Sequence, residues 1–362
     1  MKLEHKIGQL LLIGLPGTQV DSETRELLES IQPGGVLLKS RNIESAQQVV
    51  ELTSNIRSLI EVPPIIAVDQ EGGRVDRLKG IYSPMPSADL LRASGDASIA
   101  ARLGEITAEA LRTLGFNVNF APVLDVATND SAENGLKGRY LGSSAAKVVR
   151  LAGAYLEGLQ HGGVLGVGKH FPGLGSSVVD SHSELPVVER SRDEIMREDL
   201  LPYMELFSKI NARLNAIIIG HAHYPAFDGP SALPSSISKN IVNGLLRDEL
   251  GYKGLTITDD MEMGAITQAR DVQEAAVIAI EVGNDMALVT GSGEPERVHS
   301  VWQGMVEAAR SNRITRTHIS RAFDHIARVK SMVSPPHAQN EIAVSRLRER
   351  IAELNLVLQH SK

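Results

Sequence analysis

The chain has 362 residues, with 37 Lys and Arg against 44 Asp and Glu, a net charge of −7 and a pI near 5.9. That acidic balance excludes a general binder of phosphate backbones, and a single tryptophan, Trp302, excludes a long stacking platform for nucleic acid or polymeric sugar. The absence of cysteine removes a disulfide frame, a thiolate nucleophile and a thiolate metal site, which fits a reducing compartment and a cytoplasmic location.

The start, MKLEHKIGQLLLIGLPG, has a short apolar run after mixed charges and no small-residue cleavage pattern. It reads as a first strand over 10–15 and not as a signal peptide, and no run is long enough to cross a membrane. A helix follows over 22–31, capped by Asp21 or Ser22 and ended by Pro33-Gly34-Gly35. A strand over 36–38 leads to a helix over 44–60, and a strand over 65–68 runs into Asp69-Gln70-Glu71-Gly72-Gly73-Arg74, where the glycines mark a turn. A helix over 98–114 precedes a fourth strand over 118–124, which ends at Asp125; its loop carries Arg139 before a helix over 145–159. The fifth strand, 164–167, stops at Lys169-His170, a Pro-Gly break and a glycine-serine loop closing on Asp180-Ser181-His182. The sixth, 216–219, ends in Gly220-His221-Ala222-His223; the seventh, 255–258, in Asp259-Asp260; the eighth, 286–289, in a Gly-Ser loop.

Eight strand-helix units whose strands have no wet face predict an α/β fold, a single closed (β/α)8 barrel of the TIM type. A helical extension follows it. The predicted division is a catalytic barrel over 1–334 and a tail over 335–362, which resumes after Pro335-Pro336 with Val344, Leu347, Ile351, Leu354 and Leu358 at helical spacing. Packing of this tail on its own barrel is favoured over a dimer seam, since a short amphipathic helix is marginal alone, and a monomer or weak homodimer is expected.

In such a barrel the loops after the strands share one rim, so Asp69, Arg77, Arg139, Lys169, His170, His182, His221 and Asp259 are expected to converge. Asp180, two positions before His182, can bond one ring nitrogen and fix its tautomer, making a proton-transfer dyad; a local turn bond beside a solvated imidazole is the competing reading. Asp259 ends an apolar strand where a carboxylate is aimed into the barrel mouth, while Asp260 suits a cap or a cation's partner better. A carboxylate nucleophile with a separate proton donor is the design of retaining glycosidases, with His182 here replacing the usual second carboxylate. Lys169, Arg77 and Arg139 as donors and Asp69 as acceptor suit one sugar ring, though each also suits a rim ion pair.

These residues carry a resemblance. From about residue 7 to residue 332 the sequence resembles the β-N-acetylglucosaminidases of glycoside hydrolase family 3, bacterial enzymes associated with peptidoglycan recycling, through AVDQEGGRV, NFAPVLDVA, KHFPG with the later DSH, and TDDMEMGA in order. The resemblance implies Asp259 as nucleophile, His182 as general acid/base oriented by Asp180, and sugar-binding roles for Asp69, Arg77, Arg139, Lys169 and His170. It implies removal of a terminal β-linked N-acetylglucosamine from muropeptide or chitooligosaccharide fragments with retention, without metal, cofactor, nucleic acid or membrane. Two positions depart from the pattern: Leu174, where many relatives have His, and Gly138, where many have an acidic residue. Three alternatives stay open. Phosphate in place of water would make a phosphorylase, since a neutral His182 does not repel an anion as a second carboxylate would. His221-Ala222-His223 with Asp259 would make a metal-dependent barrel hydrolase. An inactive sugar-binding protein would keep the rim without the chemistry.

Overall fold

Short, almost wholly buried runs rich in Leu, Ile and Val pair into a closed parallel barrel: β1 (Leu11–Ile13), β2 (Gly35–Leu38), β3 (Ile65–Val68), β4 (Val118–Asn119), β5 (Leu165–Phe171), β6 (Ala216–Ile219), β7 (Leu255–Asp260) and β8 (Met286–Val289). Each strand pairs with its neighbours in sequence, and β8 closes on β1 through Leu11 opposite Ala287 and Ile13 opposite Val289. The computed structural model describes residues 1–128, 132–334 and 341–360.

Two strand expectations are corrected, and a helix not expected from sequence precedes the first strand. The N-terminal segment begins with a helix, Leu3–Gly8, before β1. The fourth strand keeps only two ladder residues, because Pro122 has no N–H to donate; past it only an isolated bridge joins Val123 to Lys169. The fifth strand does not stop before its charges. It continues through Lys169 and His170 to Phe171, since both side chains find carboxylate partners inside the barrel mouth.

Outside the barrel, helices form where caps and apolar stripes coincide. Asp21 accepts from Thr24 N at 2.8 Å and opens Ser22–Ile31, while Asp96 caps Ala97–Thr113. Ala97–Thr113 crosses Ala145–His161 closely enough that a Cβ at Gly104 would lie 2.2 Å from Tyr155 O, and one at Gly158 2.0 Å from Ala101 O. Glycine permits that approach. The final helix, Glu341–His360, buries Leu347, Ile351, Leu354 and Leu358 and packs against Ala97–Thr113 and Ala88–Ser94. Polar bonds fix its register: Arg348 Nε donates to Ile81 O at 2.8 Å and Asn355 Nδ2 to Pro84 O at 2.7 Å. Pro335-Pro336, the expected break before it, lie outside the described residues.

One buried cation carries a stability prediction. Among the described residues Lys330 reaches no carboxylate and donates only to Gln9 Oε1 at 2.9 Å; burial lowers its amine from 10.5 to about 7. Between about 7 and 10.5 the unfolded chain therefore holds a proton that the fold excludes, so raising pH through that window favours the fold. Lys330→Met is expected to raise the melting temperature most at or below neutral pH, with the gain fading towards pH 10.5. A gain that grows with pH would show that burial does not burden this amine.

Candidate active site

The mouth of the barrel at the C-terminal ends of the strands holds a cavity of about 360 Å³. Asp69, Arg77, Arg139, Lys169, His170, Asp180, His182 and Asp259 all line it, although they arise from four separate strand-loop units. His221 does not line it, contrary to expectation: it is fully buried, with Nε2 3.0 Å from Asp260 O and Nδ1 2.8 Å from Ser236 Oγ. Burial lowers its pKa, which suits a neutral ring donating from Nε2 and accepting at Nδ1. Both nitrogens of His221 are occupied and His223 Nδ1 accepts from Leu233 N at 3.3 Å, so at this geometry His221 offers no free nitrogen to a metal beside Asp259.

After β3 the chain turns back as a small hairpin, Gln70–Gly72 against Val75–Asp76. Gly72 and Gly73 have φ of 89° and 56°, and a Cβ at Gly72 would meet Pro86 O at 2.1 Å. The hairpin is tied to β4 by reciprocal bonds of 2.9 Å between Gln70 and the Asn119 amide, and its Gln70 Oε1 accepts from Arg77 N at 3.0 Å. This frame displays Asp69, Glu71 and Arg77. Lys169 Nζ donates to Asp69 Oδ1 at 2.6 Å and lies 2.7 Å from Glu71 Oε1; Arg139 grips Glu71 with two bonds of 2.8 Å. Burial pushes the Glu71 carboxyl up, but Arg139 and Lys169 overcome it and leave it far below the ordinary range. Arg77 differs: among the described residues it bonds no carboxylate, reaches Ser40 Oγ only at 3.5 Å, and its buried Nε has no partner.

The fifth strand places His170 over Asp125, whose buried carboxylate takes His170 Nδ1 at 2.7 Å and Leu174 N at 2.6 Å. With Nδ1–H donated to Asp125, the other nitrogen is an acceptor or, when the ring is protonated, a donor. Leu174 is held by the same carboxylate and its side chain lines the cavity. Gly138 has φ 81°, and a Cβ there would stand 3.6 Å from Asp89 Oδ2, so an acidic residue would meet like charge.

The dyad reading and the solvated reading of Asp180-Ser181-His182 are both partly right. Asp180 Oδ1 takes His182 Nδ1 at 2.8 Å and His182 N at 3.0 Å, yet the His182 side chain is 73% exposed. Burial raises Asp180, and the bonds from His182 outweigh it, so the carboxyl titrates below its usual value. Gly135 makes the room, since a Cβ there would lie 2.7 Å from Asp180 Oδ2. Backbone bonds tie this loop to the one after β7: Gly264 N donates to His182 O at 3.1 Å and Ala265 N to Ser181 O at 3.2 Å.

At the end of β7 the two carboxylates have different partners. Asp260 is held by Lys39 Nζ at 2.9 Å and by the Thr290 hydroxyl and N–H, the cation-partner role expected of it. Among the described residues Asp259 accepts one bond, from Asp260 N at 2.9 Å. Burial raises its carboxyl, but His170, His221, that N–H and His182 pull it below the ordinary value, so it is ionised at neutral pH with acceptor capacity to spare. An ionised carboxylate beside a carboxylate-held imidazole, under a rim of donors and acceptors, can attack a carbon centre and move a proton to a leaving group. Two residues given no role from sequence, Glu71 and Asp125, complete the charge network; the signal available was that Asp125, like Asp69 and Asp259, directly follows an apolar run.

Residues 2–329 match the glycosyl hydrolase family 3 N-terminal domain. The chain is similar to a beta-hexosaminidase of Alkalilimnicola ehrlichii, at 38% identity over 80% of this chain and 82% of the relative, and to one of Idiomarina loihiensis, at 35% over 77% and 83%. Its fold is similar to a glycoside hydrolase family 3 beta-N-acetylglucosaminidase from Paenibacillus sp., with TM-score 0.88 and 33% identity over 98% of this chain and 69% of that one. It is also similar to a glycosyl hydrolase of the same family from Mycobacterium smegmatis, with TM-score 0.81 and 30% identity over 93% and 98%.

Proposed function

Because the chain belongs to glycosyl hydrolase family 3 and is thereby a glycoside hydrolase, we propose that it is a retaining exo-β-N-acetylglucosaminidase releasing terminal β-linked N-acetylglucosamine from muropeptide or chitooligosaccharide fragments. The observation that carries this reading is the pairing, across one cavity, of ionised Asp259 with the Asp180-oriented His182. Asp259 attacks the anomeric carbon while His182 protonates the leaving oxygen; the glycosyl-Asp259 ester is then hydrolysed by water that His182 deprotonates. Asp69, Arg77, Arg139, Lys169 and His170 bind the sugar hydroxyls, with Glu71 and Asp125 holding the cations and the imidazole in place. The substrate class is supported by relatives that carry the beta-hexosaminidase and beta-N-acetylglucosaminidase names.

The deciding experiment compares a chromogenic β-N-acetylglucosaminide with the matching β-glucoside: selective hydrolysis of the first is expected, and equal or no turnover would reject the proposal. Repeating it with phosphate and assaying for N-acetylglucosamine 1-phosphate decides the acceptor. Arg77, which bonds no carboxylate among the described residues, favours phosphate as a secondary acceptor. The tail helix buries its apolar stripe against its own barrel, which supports action as a monomer. No described helix is long and apolar enough to cross a membrane; the cytoplasm is the proposed location, on the cysteine-free composition.

His182→Ala is expected to slow an unactivated disaccharide by roughly 10²–10⁴-fold and an aryl glycoside with a good leaving phenol much less at the bond-breaking step, because the phenol departs without a proton. Asp180→Asn should cost less than His182→Ala on the disaccharide, since it misorients the ring without deleting it. Equal losses on both substrates in single-turnover measurements would remove His182 from the acid role.

A further inference from the structure

At the opposite end of the barrel a second cavity, of about 310 Å³, opens between the segments leading into β6 and β7 and the helix Arg316–Met332. Arg213, Lys253 and Arg328 line it together with His325, and among the described residues no carboxylate does. Among the described residues none of these three cations bonds a carboxylate; Arg328 Nη1 donates to Lys253 O at 3.0 Å, which brings two of them together. Other exposed arginines are neutralised, as Arg102 is by Glu353 at 3.0 Å and Arg310 by Glu4 at 2.8 Å, and these three are not. Although the chain has a net charge of −7, the described lining of this one hollow carries three cations and no carboxylate.

The buried carboxylate that bonds His325 of this lining is already committed. Asp285 takes Arg247 Nη2 at 2.8 Å and His325 Nδ1 at 2.9 Å, so it has little left to offset the cations in front of it. Arg247 in turn lies 5.5 Å from the Tyr252 ring centroid, and Tyr252 stacks on Phe207 at 4.2 Å. These rings, with Leu214 and Met332, give the hollow an apolar component beside its charges. Cations that repel one another and an apolar wall that water wets poorly are relieved together by one ligand, an anion carrying an apolar body.

We propose that this cavity binds a phosphomonoester, its phosphate held by Arg213, Lys253 and Arg328 and its apolar body packed against Phe207 and Met332. The cavity is at the small end of ligand sites, which suits an aryl or similarly compact phosphate. The test titrates phenyl phosphate calorimetrically into the wild-type chain and into Arg213→Ser/Lys253→Ser, whose melting temperature is checked beside it. One saturable site is expected in the wild type, weakened by about tenfold or more in the double variant through loss of two charge-assisted contacts, and weakened also by salt. Inorganic phosphate should bind more weakly than phenyl phosphate, and saturating N-acetylglucosamine should leave the isotherm unchanged. Absence of a saturable site, equal affinity in the variant, or displacement by the sugar overturns the proposal; inorganic phosphate binding as tightly as phenyl phosphate overturns the apolar half of it. If the double variant melts early, Lys253→Gln alone carries the same comparison.

Discussion

Asp259→Ala is expected to lower turnover of a β-N-acetylglucosaminide by roughly 10³–10⁵-fold while leaving the melting temperature unchanged or slightly raised. The carboxylate takes one backbone bond and fills no core space, so its removal opens no cavity in the barrel. It is also held in a site that burial makes costly for charge, with the imidazoles of His170 and His221 opposing that cost. Removing a group that is poorly solvated and does not pack often stabilises a fold at the expense of its chemistry. Measurement of kcat with a chromogenic substrate and of thermal unfolding checks both halves. A variant with near wild-type kcat would falsify Asp259 as nucleophile, whatever its stability.

Glu71→Gln is expected to be the most damaging isosteric change at the rim. Glu71 Oε1 is shared by Lys169 Nζ at 2.7 Å and Arg139 Nη2 at 2.8 Å, and the two cations are themselves largely buried. With a neutral amide in its place, Asp69 is the one carboxylate left in direct contact with Lys169 among the described residues and none directly bonds Arg139, and breaking such a buried pair costs about 3–5 kcal/mol. A loss of roughly 5–10 °C in melting temperature is the corresponding scale, together with a raised KM as the sugar donors lose their positions. The sign of the pH dependence follows from the depressed folded pKa. Glu71 contributes its stability fully above the unfolded value near 4.5, and that contribution is lost as pH falls towards the lower folded value. The gap between wild type and Glu71→Gln should therefore narrow below about pH 4.5; a gap independent of pH would assign the damage to packing.

Much of this molecule is written in local pattern. A strand with no polar face has to be covered on both sides, and eight of them alternating with amphipathic helices leave a closed barrel as the arrangement that covers them all. Six strands were legible to within two residues at each end, because apolar runs bounded by Gly and Pro need no distant information. The two misjudged strands failed for one reason each. Pro122 interrupts a run that hydropathy alone reads as continuous, and Lys169-His170 extend a run that hydropathy reads as ended.

Sequence by itself determined the barrel, the rim on which the chemistry sits, and the local pair Asp180 and His182, because periodicity and two-residue spacing are properties of the chain alone. Only the tertiary structure decided which rim charges are free. Lys169 and Arg139 are bound to Glu71 from about a hundred and about seventy residues away, Asp260 is neutralised by Lys39, and His221 is turned inwards onto Ser236, whereas Arg77 and Asp259 keep bonding capacity for a ligand. The ion pairs among those outcomes depend on partners brought in by other strands of the barrel, and Coulomb attraction acts on distance in space, which no spacing along the chain encodes.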